Sequence, residues 1–170
     1  MKKKIVLVAL LVLLILVPAF SATTGSSKKG SVGVGANLGT VNGVALRFGM
    51  GDFDLLANIG FDAVTTLTKD GWTISGDVAA SYKVYTIDGG RNAQFPITVG
   101  LSAVPSVTFG NNTVVNLDVL VPVGIEYTFS DVPITLYLRL APGLSVIEAN
   151  KPNVGEFAMG GYIGALWNFN

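Results

Sequence analysis

From Gly30 to the C-terminus, apolar residues alternate with small or polar residues with a period of two over most of the chain. The stretch 133–146, PITLYLRLAPGLSV, is the clearest example. Leu136, Leu138 and Leu140 fall on one side of it, whereas a threonine, a tyrosine and an arginine occupy the other. Because successive side chains of a β-strand point to opposite faces of the sheet, this alternation predicts strands with two chemically different faces.

Seven clusters of Gly, Asn, Asp and Pro divide the alternating region into eight such segments. These residues favour tight turns, and short connections favour pairing of neighbouring strands as antiparallel hairpins. No segment shows a convincing helical period. The predicted turns lie at 37–43, 49–52, 68–71, 88–92, 110–113, 130–133 and 148–156. The sequence therefore predicts an all-β fold of eight antiparallel strands in up-and-down order.

Two architectures contain strands of this kind, and they differ in which face is inside. A soluble barrel or sandwich buries its apolar face, whereas a transmembrane barrel turns that face to lipid and fills its interior with polar and small residues. Here the polar face is mainly Gly, Ala, Ser, Thr and Asn, and the aromatic residues concentrate near the strand ends. Both features favour an eight-stranded antiparallel up-and-down transmembrane β-barrel as one domain over residues 30–170.

An even number of strands places both ends of the barrel chain on the same side, which after export is expected to be the periplasm. The turns at 49–52, 88–92 and 130–133 are predicted to lie on that side, together with the denser group of aromatic residues. Pro105, Pro122 and Pro142 fall inside predicted strands, where a proline cannot donate a hydrogen bond. Gly124 and Gly143 lie close to two of these prolines, and bulges are expected there. The alternative breaks each strand at its proline and gives a soluble sandwich.

The N-terminus has the pattern of a secretory signal peptide. Three lysines follow Met1, an unbroken apolar run extends from Ile5 to Val17, and small residues surround a cleavage position after Ser21. Residues 1–21 are therefore predicted to be removed, and residues 22–29 (ATTGSSKK) to form a flexible lead-in. A retained membrane anchor is the alternative, although the run is short for a helical span.

Composition excludes several classes of function. The chain has neither histidine nor cysteine, which removes Ser-His-Asp hydrolysis, cysteine nucleophiles and histidine-ligated metals. Without the three signal lysines, the eleven Lys and Arg fall to eight against eleven Asp and Glu, a net charge near −3. This balance gives no support for nucleic-acid binding. No enzymatic activity and no cofactor are expected.

Eight charged residues fall on the face that is predicted to point inward. Charges in a low-dielectric interior must be paired or change protonation, so we expect a network of ion pairs that fills the barrel, or else a narrow polar pore. If residues 68–71 form the turn of their hairpin, Asp62 and Asp77 face each other and repel. The predicted network consists of Arg47, Asp54, Asp62, Asp77, Lys83, Asp118, Glu126 and Arg139.

Residues 30–169 resemble the small eight-stranded outer-membrane barrels, the group of the OmpA membrane domain, OmpX and OmpW, by pattern and without a diagnostic motif. The resemblance implies a monomer in the bacterial outer membrane, with the lipid bilayer and the outer-membrane assembly machinery as its partners. Members of that group tend to end in an aromatic residue. Here Trp167 and Phe169 carry the alternation, but Asn170 follows.

Three functions are compatible with the sequence. The first is an integral outer-membrane barrel with a structural or envelope-interaction role, for which 148–156 (EANKPNVGE) is the most plausible contact loop. The second is a narrow channel for water, ions or a small solute. The third is a soluble periplasmic ligand carrier of lipocalin shape, which requires an apolar interior.

Overall fold

A computed structural model describes residues 30–62, 71–90, 93–110, 113–148 and 155–169. The predicted signal peptide, the lead-in, residues 68–70 of one turn and residues 149–154 of the predicted contact loop lie outside the described residues. None of the described residues forms a helix that is long and apolar enough to cross a membrane.

The described chain consists of β-strands joined by turns, as the alternation predicts. The strand segments are β1 (Val32–Gly39), β2 (Asn42–Gly49), β3 (Phe53–Phe61), β4 (Gly71–Asp88), β5 (Gln94–Gly110), β6 (Val114–Leu120), β7 (Val123–Thr128), β8 (Ile134–Glu148) and β9 (Glu156–Phe169). Every pair of neighbouring strands is antiparallel.

The sheet closes into a hydrogen-bonded ring. Consecutive strands pair with each other except β6 and β7, and β9 returns to pair with β1 from Val32↔Phe169 to Gly39↔Tyr162. β6 and β7 share one place between β5 and β8, so the ring passes through eight strand positions. Closure gives each edge strand a partner and leaves no long row of unpaired backbone groups. The predicted eight antiparallel strands and their closure are confirmed.

The ring has two ends, which we call near and far. The near end carries Gly30, Phe169 and the strand ends that flank the connections β2–β3, β4–β5 and β7–β8. The far end carries the turn at Thr40–Val41 and the strand ends that flank the connections β3–β4, β5–β6 and β8–β9, whereas the β6–β7 break lies within the wall. The predicted grouping of the turns at 49–52 and 130–133, and of the described part of the turn at 88–92, with the chain ends is therefore observed; residues 91–92 lie outside the described residues.

The three prolines affect the strands differently from the prediction. Pro105 lies within β5 and Pro142 within β8, whereas Pro122 separates β6 from β7. The register of β6 and β7 against β5 is the same on both sides of Pro122, from Ser102↔Leu120 to Val99↔Val123, so no bulge forms there. The observed irregularities lie elsewhere, between Lys83 and Tyr85 and between Leu117 and Asp118. Neighbours on both sides hold the broken strand in register, because Gly100 donates to the Pro122 carbonyl and Val121 to the Pro142 carbonyl.

The apolar faces of the strands point out of the ring and the polar faces point in. Ile59, Leu101 and Ile163 are 65%, 58% and 57% exposed, whereas Arg139 and Asp77 are each 1% exposed. This distribution is the inverse of that in soluble globular proteins, where charged residues are almost never fully buried unless paired. The orientation that the sequence predicts, with Leu136, Leu138 and Leu140 outside and Thr135, Tyr137 and Arg139 inside, is the one observed.

Two apolar clusters pack among the inward-facing residues. One contains Ala45, Leu56, Ala79, Tyr137, Tyr162 and Leu166. The other contains Val104, Leu120 and Ala141, together with Val41 from the β1–β2 turn. Val41 is 1% exposed although it lies in a turn. Because β5 and β6 stand across the ring from β1 and β2, this turn folds over the interior at the far end.

Close approach between β1 and β9 requires a glycine at position 35. A Cβ atom added there would lie 1.8 Å from the backbone oxygen of Ala165. Gly35→Ala is therefore expected to lower the free energy of unfolding by about 1–3 kcal/mol through overpacking, measured by urea titration followed by tryptophan fluorescence. Gly76→Ala is the matched control, because its Cβ would make only ordinary contacts at 3.6 Å and beyond. Equal destabilisation by both substitutions would contradict this explanation.

Candidate functional site: an ion cluster inside the ring

A carboxylate between two arginines forms the centre of the polar interior. Arg47 projects inward from β2, Glu126 from β7 and Arg139 from β8, each at an inward position of the alternating pattern. Their exposed fractions are 6%, 7% and 1%. Such burial removes most of the hydration that stabilises a charge, so these groups depend on one another.

Both oxygens of Glu126 are used. Its Oε2 accepts from Arg47 Nη1 at 3.1 Å, and its Oε1 accepts from Arg139 Nη2 at 2.9 Å. β2 and β7 occupy opposite places in the ring, so the Arg47 contact crosses the interior. Charge-assisted hydrogen bonds of this kind are stronger than those between neutral groups. The cluster therefore ties opposite walls of the ring together.

Neutral residues satisfy further donors of the two guanidinium groups. Arg47 Nη2 donates to Asn168 Oδ1 at 2.6 Å and to Thr135 Oγ1 at 3.3 Å. Arg139 Nη1 donates to Ser81 Oγ at 3.0 Å, and its Cζ lies 5.7 Å from the centre of the Tyr137 ring. Like the charged residues, these partners occupy the inward-facing alternate positions of their strands. The alternation in the sequence therefore predicts that they lie inside. The alternation does not show which of these residues bind the arginines.

Asp77 is a second buried acid beside the cluster. Its Oδ2 accepts from Asn58 Nδ2 at 2.9 Å, and Tyr162, Ser102 and Arg139 are also neighbours. It forms no salt bridge with the cluster. With Arg47 and Arg139 set against Glu126 and Asp77, the buried charges of the ring centre balance.

The predicted clash between Asp62 and Asp77 is wrong. Asp77 stands opposite Asn58, and Phe61 stands opposite Ile74, which shifts the β3–β4 pairing by four residues from the predicted register. β3 ends at Phe61, whereas β4 already begins at Gly71, within the predicted turn. Instead, the backbone N–H of Asp62 donates to the Thr73 carbonyl at 3.1 Å. A neutral amide, and not a second acid, therefore faces Asp77.

The other charged residues of the predicted network lie toward the two ends. Asp54 and Lys83 line a cavity of about 90 Å³ at the near end, together with Arg47 and Glu126. We call this the near-end cavity; its wall is completed by Gly51, Pro96, Thr98 and Thr128. Asp118 Oδ1 accepts from Ser145 Oγ at 2.6 Å, nearer the far end. The structure thus joins Arg47, Glu126 and Arg139 directly and places Asp62 and Asp118 apart from them.

The chemistry available to this cluster is limited. Among the described ranges, no group of three or more His, Cys, Asp or Glu side chains could hold a metal ion. Both oxygens of Glu126 already accept hydrogen bonds from arginine side chains. The arrangement is suited to holding strands together across the ring.

The chain matches no protein-family model, no curated protein and no solved structure.

Proposed function

We propose that this protein is an integral β-barrel of the bacterial outer membrane, with a structural or envelope-interaction role and no enzymatic activity. The observation that carries the proposal is the inversion of the sheet: a belt of exposed aliphatic side chains outside, and an arginine–glutamate–arginine cluster inside. A continuous apolar exterior of this kind is costly in water and favourable in lipid.

Backbone hydrogen bonding supports the same proposal. No water is available in the hydrocarbon layer, so a spanning sheet must pair all of its backbone groups and therefore close on itself. The β1–β9 pairing supplies that closure. A soluble sandwich has no need for it, because its edge strands can bond to water.

The aromatic residues lie in two exterior groups at a separation that suits a bilayer. Phe53 and Tyr82 pack at 4.8 Å toward the near end, and Trp72 and Phe109 stack at 4.9 Å toward the far end. Ten residues separate Trp72 from Tyr82 along β4. At about 3.3 Å per residue and a tilt of about 40°, that distance is about 25 Å along the barrel axis, close to the height of the lipid-facing band of such barrels.

The two alternative functions have less support. A lipocalin-like carrier needs an apolar interior, whereas the interior here contains buried arginine, aspartate and glutamate side chains. A channel needs a continuous path, whereas Tyr137, Leu56 and Leu166 pack with the cross-ring ion pairs, and Val41 packs over the interior toward the far end. We therefore favour a filled barrel that anchors in the membrane as a monomer, delivered by an export signal and the assembly machinery.

The test is fractionation of cells that express the full chain. The barrel is expected in the outer-membrane fraction, resistant to extraction with carbonate and urea, and to migrate differently on a gel before and after boiling. Release by osmotic shock without detergent would contradict the proposal. Incorporated into planar bilayers, the purified protein is expected to leave the conductance at its baseline, and reproducible discrete openings would favour the channel instead.

A further inference from the structure

Several buried polar atoms meet at the centre of the ring without a hydrogen bond of ordinary length and angle to another described residue. They are Asn58 Oδ1, Asp77 Oδ1, Tyr137 OH, Arg139 Nε and Tyr162 OH. These side chains adjoin one another. Asn58 is bonded to Asp77, the rings of Tyr137 and Tyr162 lie 6.1 Å apart, and Tyr162 is a neighbour of both Asp77 and Arg139. The five atoms thus belong to one place in the interior.

The adjacent backbone is also interrupted at this place. In the β4–β5 ladder, the register runs from Ser75↔Ser106 to Val78↔Ala103, and Gly76 and Asp77 have no Cα partner between them. Pro105 lies across this gap and has no N–H to donate.

We propose that the centre of the ring is a binding site for ordered water, in which one or more molecules bridge Asp77, Tyr162 and Arg139. Arg139 Nε can only donate, Asp77 Oδ1 and Asn58 Oδ1 can only accept, and the two tyrosine hydroxyls can do either. Water supplies both acceptors and donors, and buried waters typically make about three hydrogen bonds to groups that have no other partner.

Water suits the site better than a cation does. The nearby charges already balance, with Arg47 and Arg139 against Asp77 and Glu126. The Arg139 Nε donor would repel a cation placed among these atoms. The near-end cavity offers a route of exchange, because Glu126 lines that cavity and also binds Arg139.

Radiolytic labelling tests the proposal. Brief X-ray irradiation of the folded protein in detergent micelles creates hydroxyl radicals from every water molecule, including bound ones. Radicals generated chemically from peroxide and iron come from the bulk only. Tyr137 and Tyr162 are 2% and 6% exposed, and Tyr85, at 65%, is the reference of the same residue type. Mass spectrometry measures oxidation of each tyrosine relative to Tyr85.

We expect the relative oxidation of Tyr137 and Tyr162 to be several times higher under X-rays than with chemical radicals. In Tyr162→Phe, which removes one partner of the water, the X-ray excess at Tyr137 is expected to fall. Equal relative oxidation by the two sources would show a dry centre and overturn the proposal. The unfolding temperature is also compared in sodium chloride and in choline chloride at equal ionic strength. A higher value in sodium chloride would assign the site to a cation and would also overturn the proposal. Because neither measurement depends on location in the cell, failure here is distinguishable from failure of the proposed function.

Discussion

Glu126→Ala is expected to lower the free energy of unfolding by about 3–5 kcal/mol, because it leaves two buried arginines without their shared carboxylate. Arg47 and Arg139 are 6% and 1% exposed, and neither can lose its proton to escape the cost. Asn168, Thr135 and Ser81 still accept from their other nitrogens, but these groups carry no charge. Urea titration of the protein refolded in phosphatidylcholine vesicles, followed by tryptophan fluorescence, measures the loss.

Two variants separate the buried charge from the loss of a side chain. Glu126→Gln keeps a neutral acceptor and should fall between the native protein and Glu126→Ala. The triple variant Arg47→Met, Glu126→Leu, Arg139→Met removes all three charges and should recover much of the stability, as replacement of a buried ion cluster by apolar groups often does. Asp131→Ala, at an exposed carboxylate, should stay within about 0.5 kcal/mol of the native protein. If Glu126→Ala also stays in that range, the cluster does not stabilise the fold.

Leu138→Arg is expected to cost about 2–4 kcal/mol in the same vesicles, which is the penalty for arginine on the lipid face near the bilayer midplane. Leu138 is 47% exposed and faces outward. Along the β8–β9 pair it lies between Ile134↔Trp167, beside the near aromatic group, and Leu144↔Phe157, beside the far one. In a soluble protein, by contrast, arginine at an exposed position has little effect on stability.

Val84→Arg is the matched control for depth. Val84 is 53% exposed and lies on the part of β4 that continues past Tyr82 toward the near end. There the penalty should fall to about 0–1 kcal/mol, as it does near the interfaces of such barrels. Equal effects of the two substitutions would mean that the exterior belt does not contact lipid, and the proposed location would be wrong.

The alternation of residue types was sufficient to predict the face of nearly every described side chain. The alternation alone assigned three charged residues to the interior, and each is buried: Arg47, Glu126 and Arg139. Successive side chains of a strand point to opposite faces, so the orientation of one residue determines the orientation of its neighbours. The prediction of a closed barrel also implied that the last strand pairs with the first, because a closed sheet satisfies all of its backbone groups; β9 pairs with β1 as expected.

Pairing between strands was less predictable. The β3–β4 register differs by four residues from the one that a turn at 68–71 implies, and Asp77 consequently faces Asn58 rather than Asp62. A shift by an even number of residues leaves every side chain on its predicted face, so the hydrophobic pattern cannot detect it. The effect of Pro122 was unpredictable for a related reason. Hydrogen bonds from Gly100 on β5 to the Pro122 carbonyl, and from Val121 to the Pro142 carbonyl on β8, preserve the register across the break.

The order of residue types along this chain determined that it forms strands, where most of them turn, and which side of each strand is apolar, because these properties depend on neighbours within one segment. Only the tertiary structure decided that one glutamate binds two arginines from different walls, and that Val41 in a turn packs against β5, β6 and β8. Those contacts depend on the tilt and stagger of the closed sheet, which set the height of each inward side chain. The position of a side chain along the barrel axis is set by the whole ring, and the alternation within one strand does not encode it.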